Sequence, residues 1–389
     1  PEWSTLILDE AHKLPEAARQ MFGITLTAVE IHELIRALRG ERYLLASETL
    51  EEAAGPALRE LARPWDEDKT FSHFAPFLNR PHHTLELIQK QIGTVLTHGT
   101  QRKLDQLRDK TTLFLQEQRD MIFYTAEDSH GGTMLCATTP NLTNQLRQTL
   151  WRQQKPMILT SGTLAVGEDF HRFKEAAGLL TDSRVRESVS PSPFAYSKNC
   201  LLYVSRLPGH QEARQYYDSL TAEIAALLDA AHGHALVLFT SYAAMSAVKE
   251  RLREQELAYP LFTLGRNAVH TTKQFKSTPG GVLLATGAAW EGFDFPGDCV
   301  SLLVIPRLPF PIPDALKEKE REQYPTLHSF LRGVVVPEMQ IKLKQGFGRA
   351  IRLETDTCVV AILDERAARD QRYWKDVLAA LPEMPVTQD

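Results

Sequence analysis

The chain has 389 residues, enough for two to three domains with cores of their own. Apolar residues make up 43% and charged residues 24%, which excludes wholesale disorder. A net charge of −5 excludes bulk attraction to nucleic acid, so any such contact must be a local basic lining.

Residues 1–12, Pro-Glu-Trp-Ser-Thr-Leu-Ile-Leu-Asp-Glu-Ala-His, are a short apolar strand running straight into Asp9 and Glu10. Residues 14–133 change character. Ala28–Leu38 and Thr84–Leu96 space apolar residues at three and four, the pattern of amphipathic helices, and a third helix runs from Lys103 to about Tyr124. This stretch reads as a helical insertion that leaves through the loop Asp128–Gly132. From Met134 the pattern becomes strand (Met134–Thr138), helix (Leu142–Gln153) and strand (Pro156–Thr160).

From residue 165 onward, apolar strands alternate with helices: Leu201–Val204, Ala235–Phe239, Leu261–Leu264, Val282–Thr286, Val300–Ile305 and Val359–Leu363. Continuous apolar runs separated by helices predict an α/β domain with a mostly parallel sheet covered on both faces. Pro306, Pro309, Pro311 and Pro313 mark a stiff loop after one of these strands. The four cysteines at 136, 200, 299 and 358 are too far apart for a Cys-x2-Cys metal pattern and read as reduced core residues. No apolar stretch approaches the length of a membrane span, so a soluble, cytoplasmic protein with no membrane partner is expected.

The acid pair suits a nucleoside triphosphate site, where Asp9 holds Mg²⁺ through water and Glu10 orients the attacking water. Far downstream, Gln345-Gly-Phe-Gly-Arg349-Ala-Ile-Arg352 spaces a glutamine and two arginines at i, i+4 and i+7, one face of a helix. Arginine forks match a γ-phosphate. Gly346 and Gly348 each cost about 1 kcal/mol in a helix interior, so either something approaches the backbone closely or the segment is only partly helical. The loop Gly287-Ala-Ala-Trp290-Glu291-Gly-Phe-Asp294 follows a buried strand, the usual place for ligand contacts in an open sheet. There Trp290 reads equally as a packing residue. Ser161 and Thr163 follow another strand and Thr240 and Ser241 a third, as phosphate contacts or simply as helix caps and turn residues.

Together these segments resemble the DinG and XPD branch of superfamily 2 DNA helicases. Asp9–His12 resembles motif II, Thr160–Leu164 motif III, Leu238–Ser241 motif IV, Thr286–Gly297 motif V and Gln345–Arg352 motif VI, in the family's order. The resemblance implies a RecA-like second motor domain (165–389), a remnant of the first (1–13 and 134–164) and an arch-like helical insertion (14–133). It implies ATP and Mg²⁺ as cofactors, and 5′-to-3′ movement on single-stranded DNA or at a forked duplex by a monomer. Asp9, Glu10, Gln345, Arg349 and Arg352 would be catalytic. His12, Ser161, Thr163, Glu291 and Asp294 would couple nucleotide state to movement, and Thr240, Ser241, Gly287 and Trp290 would touch DNA. The family's phosphate-binding loop, Gly-x4-Gly-Lys-Ser/Thr, is not found in these residues, so a C-terminal portion inactive on its own is expected. An iron–sulfur cluster, where relatives have one, would lie upstream of motif II. Two other readings stay open: a non-catalytic nucleic-acid-binding or protein-docking module, and the helicase-like part of a nuclease fusion.

Overall fold

Two apolar tripeptides, about 150 positions apart in the sequence, begin the fold side by side. The computed structural model describes residues 3–66, 69–117, 121–139, 142–207, 213–265, 268–290, 292–295 and 299–388. Its first five strands are β1 (Leu6–Leu8), β2 (Ile24–Leu26), β3 (Ile122–Glu127), β4 (Thr133–Thr138) and β5 (Met157–Leu159). β1 and β5 pair in parallel, Leu6 opposite Met157 and Leu8 opposite Leu159. Hydrogen bonding continues past the strand ends, with Thr160 N–H donating to Leu8 O (2.9 Å) and Ala11 N–H to Thr160 O (2.9 Å). Residues 9–12 and 160–163 are thereby held together.

The helices Leu14–Phe22, Leu142–Thr149 and His171–Ala177 share one core with this pair, built on Ala18, Leu142, Leu146, Trp151, Phe173 and Ala177. This first lobe therefore reaches beyond the expected segments 1–13 and 134–164, because two of its covering helices, Leu14–Phe22 and His171–Ala177, lie outside them.

β4 does not join it. It pairs antiparallel with β2 on one side and β3 on the other, in the three-stranded order β2-β4-β3. Met134–Thr138, expected to open the return to the first lobe, thus belongs to the insertion, and Leu135 and Ala137 lie in the insertion's core. Asp128–Gly132 is the turn of the β3–β4 hairpin, with Gly131 at φ +80° and Asp128 Oδ1 accepting from Gly132 N–H (2.8 Å). The helix expected up to Tyr124 runs from His98 to Gln116 instead, and Tyr124 lies in β3. The β-branched and aromatic residues of Ile122–Thr125 prefer the pleated surface.

The remaining strands are β6 (Cys200–Val204), β7 (Ala235–Leu238), β8 (Leu261–Thr263), β9 (Val282–Ala285), β10 (Leu302–Ile305), β11 (Cys358–Ile362) and β12 (Val386–Gln388). They form one parallel sheet in the order β12-β6-β11-β10-β7-β9-β8. Three neighbouring strands, β10, β7 and β9, are buried at every position, as a sheet with both faces covered requires. One face packs on the helix Val336–Phe347 through Met339, Leu343 and Phe347. The other packs on Ala213–Ala230 and Tyr242–Glu254. The six strands read from the sequence are all present, and β12 adds an edge. Among the described residues, no helix is long and apolar enough to cross a membrane.

Candidate active site

The first-lobe side of the site starts from a strained residue. Glu10 stands at φ 48°, ψ 41°, a left-handed conformation that side-chain-bearing residues rarely adopt. It turns the chain sharply off β1 and leaves Asp9 and Glu10 both exposed at the strand tip. Asp9 Oδ1 accepts from the Glu10 amide (2.9 Å) and from the Thr160 hydroxyl (2.9 Å). Thr160 first, and then that amide, hold the Asp9 carboxyl below the usual carboxylate range. Sequence reading passed over Thr160. Its signal was the register, since Leu8 faces Leu159 and Asp9 must then neighbour Thr160.

Ser161 is the hub. Its hydroxyl donates to Glu10 Oε2 (3.0 Å) and accepts from the Thr163 amide (3.2 Å). His12 Nδ1 lies 2.8 Å from the same oxygen and 3.2 Å from Glu10 Oε2. With the serine proton directed at the carboxylate, the tautomer that carries its proton on Nδ1 donates to Ser161 and leaves Nε2 as an acceptor. The group facing that lone pair is Gln345 Nε2 of the second lobe, at 3.1 Å. Donor directions therefore run consistently from Gln345 through His12 and Ser161 to Glu10, across the boundary between the lobes.

Gln345 sits in the last turn of Val336–Phe347, and the helix stops there. Gly348 is its C-cap, and Arg349 and Arg352 follow in a tight turn closed by Arg349 N–H to Gly346 O (3.0 Å). The three side chains thus do not share one helix face, and the partly helical alternative holds. Both guanidinium groups converge on the carbonyl of Phe293, Arg352 at 3.4 Å, while Arg352 Nε lies 2.8 Å from Asp294 Oδ1. Asp356, itself buried, accepts from the amides of Arg352 (2.9 Å) and Leu353 (2.8 Å) and fixes the turn. Asp294 is thus placed against the arginine pair. Glu291 lies outside the described residues.

Close approach explains Gly346. A Cβ there would meet Trp290 Cε3 and Cζ3 at 2.7 Å. Trp290 is 1% exposed and donates its indole N–H to Phe239 O (2.9 Å). The expected DNA contact through Trp290 is therefore corrected: its ring is wholly spent in the core, where it seats the helix carrying Gln345. Ser241 caps the helix Tyr242–Glu254, accepting from Ala244 N–H (3.2 Å), and Thr240 is half-buried beside it. Gly287 is exposed just past β9, at φ +60°. These three lie at the carboxyl ends of neighbouring strands β7 and β9.

Comparison with known proteins bears on this constellation. A family model described as Helicase C-terminal domain matches residues 224–384, most of the second lobe. The ATP-dependent DNA helicase YoaA of Escherichia coli is 30% identical over 421 residues, with all of this chain and 64% of YoaA covered. The chain belongs to the DinG/XPD-type superfamily 2 helicases. The ATP-dependent helicase DinG of Mycobacterium tuberculosis is 32% identical over 274 residues, covering 69% of this chain and 41% of DinG. The chain thus spans less than two thirds of the length of these DinG/XPD-type relatives. In fold, the structure of Xpd4 from S. tokodaii superposes with a TM-score of 0.62 at 16% identity, covering 98% of this chain and 75% of that one.

Proposed function

We propose that this chain supplies first-lobe segments, the insertion and a second lobe of an ATP-dependent DNA helicase, with ATP seated between the lobes. The single observation that carries this is the Gln345–His12 contact at 3.1 Å. It brings the motif VI helix onto the loop that bears Asp9 and Glu10. Glu10 accepts from Ser161, and its exposed carboxylate can orient a water toward a terminal phosphate. Arg349 and Arg352, held at Phe293 O in the second lobe, are the proposed partners of the terminal phosphate, where their charge would offset that developing in the transition state.

Asp9 suits a Mg²⁺ ion held through water. One oxygen is committed to Thr160 and the Glu10 amide, and the carboxylate stands exposed at a strand end. When bound, such an ion neutralises charge on phosphate oxygens. His12, Ser161 and Thr163 carry the state of Glu10 to the lobe boundary through the hydrogen bonds described above. Thr240, Ser241 and the Gly287 backbone are the proposed contacts to single-stranded DNA, at strand ends where an open parallel sheet binds its ligands. Lobe closure on ATP and reopening after hydrolysis would move the strand 5′ to 3′ and open a forked duplex.

The test is DNA-stimulated ATP hydrolysis by this chain joined to a phosphate-binding loop. Glu10→Gln should remove turnover and leave DNA binding intact, and turnover that survives the substitution contradicts the reading. Unwinding of 5′-tailed but not 3′-tailed duplex tests the polarity. The 389-residue chain by itself is proposed to be without turnover. Phosphate release from it that Glu10→Gln abolishes would overturn that clause.

A further inference from the structure

A second contact joins the lobes well away from the nucleotide residues. Arg172, on the first-lobe helix His171–Ala177, is largely buried at 14% exposure and faces three carboxylates. Nη1 lies 2.7 Å from Glu320 and 3.3 Å from Glu175, and Nη2 lies 2.5 Å from Glu338. Lys317 joins the same group, 2.5 Å from Glu338 and 2.9 Å from Glu320. The Tyr324 hydroxyl donates to Glu175 at 3.2 Å. Two cations thus face three carboxylates. Without Arg172, one lysine would be left against all three, and the lobes would repel at this point.

The place of Glu338 gives the cluster its consequence. Glu338 and Gln345 lie seven residues apart on the helix Val336–Phe347, which puts them on one face, about 10 Å apart along the axis. That face rests on the first lobe at both ends, on Arg172 through Glu338 and on His12 through Gln345. Two contacts fix the direction of a rod where one would leave it free to pivot. Lys317 and Glu320 belong to the helix Ala315–Arg321, which also packs on β3 of the insertion. The cluster therefore stands where all three bodies meet.

We propose that Arg172 is a positioning residue: by gripping Glu338 and Glu320 it holds the helix Val336–Phe347 on the first lobe and so sets Gln345 against His12. Its effect on hydrolysis rests on the function proposed above, whereas its effect on the helix does not.

The experiment uses the 389-residue chain with Cys299 replaced by serine and spin labels on cysteines introduced at Arg152 and Glu250, one exposed site in each lobe. Arg172→Glu should lengthen and broaden the distance distribution. It should also shift the His12 ring signals in NMR to those seen with Gln345→Ala. Arg172→Glu combined with Glu338→Arg should restore both, which a loss of general packing would not allow. If Arg172→Glu fails to fold, Glu338→Gln is measured with the same expectations. Distances and His12 signals that stay at their wild-type values overturn the proposal, as does a folded charge swap that restores neither. In an ATPase-competent form, Arg172→Glu should lower turnover at least tenfold, and the swap should recover it. Labels that move while turnover does not overturn the positioning role. If Glu10→Gln leaves turnover unchanged as well, the failure lies in the nucleotide reading instead.

Discussion

Replacing Gly346 by alanine tests how the second lobe seats the helix that carries Gln345. The backbone there is helical, so alanine gains about 1 kcal/mol of helix propensity over glycine. The new methyl would sit 2.7 Å from two ring carbons of Trp290 and 3.3 Å from Leu238 Cδ1. Carbon atoms rest at about 3.5–4.0 Å, so the ring or the helix must give by about 1 Å. Trp290 has little freedom to do so, being buried with its N–H held by Phe239 O. Overpacking of such a site costs about 1–3 kcal/mol, and a pinned ring puts this one at the upper end. Subtracting the propensity gain leaves Gly346→Ala about 2 kcal/mol less stable than wild type. Urea unfolding followed by tryptophan fluorescence measures this, and Trp290→Phe in the same chain should recover part of the loss by shrinking the ring. A Gly346→Ala chain more stable than wild type would mean that only propensity acts, and the close packing of Trp290 on this helix would be refuted.

Glu10→Gly should leave stability unchanged or raise it by up to about 1 kcal/mol, since glycine adopts φ 48° without strain, while removing the carboxylate proposed to orient the attacking water. Thermal unfolding alongside hydrolysis separates the two effects, and a clear loss of stability would show that the strain is not there. Thr160→Val should raise the Asp9 titration midpoint toward the ordinary aspartate value, as read by carbon NMR. Because the folded-state value is depressed, this carboxylate's stabilisation is present above the unfolded value and is lost as pH falls through the folded one, so the substitution should narrow that acid window. At pH 8 a thiol reagent should label Cys299 alone. Burial pushes Cys136 and Cys200 up to about 11 and Cys358 higher still, and labelling of any of these in the folded chain would contradict their placement.

The parallel sheet was legible because buried strands such as Leu236–Leu238 and Leu302–Ile305 leave unbroken apolar runs, which nothing downstream can disguise. The insertion was less so. β2 has only three residues, and Ile122–Glu127 comes soon after a long helix without an alternating pattern of its own, so local spacing extended the helix across it. Nothing local tells β4 which sheet to join; only its antiparallel partners Leu26 and Thr125 decide that. At the site, residue identity gave Glu10, Ser161 and Gln345, but not the single hydrogen-bonded path that joins them through His12. Trp290 shows the converse. Its position in a glycine-rich loop suggested a ligand contact, and the glycine it packs against lies 56 residues further on. Arg172 carried no sequence signal, because its partners come from two other segments and its own helix has only seven residues.

The central claim is that the arginines after the helix Val336–Phe347 and the carboxylates after β1 serve one nucleotide. Arg349→Ala in an ATPase-competent form, assayed for turnover and for single-stranded DNA binding in the same preparation, tests this most directly. Turnover should fall by about 10²–10³-fold, the loss of one preorganised charge at a developing phosphate transition state, with DNA binding retained. Turnover that persists within a few fold of wild type would separate the two ends of the chain and contradict a shared site.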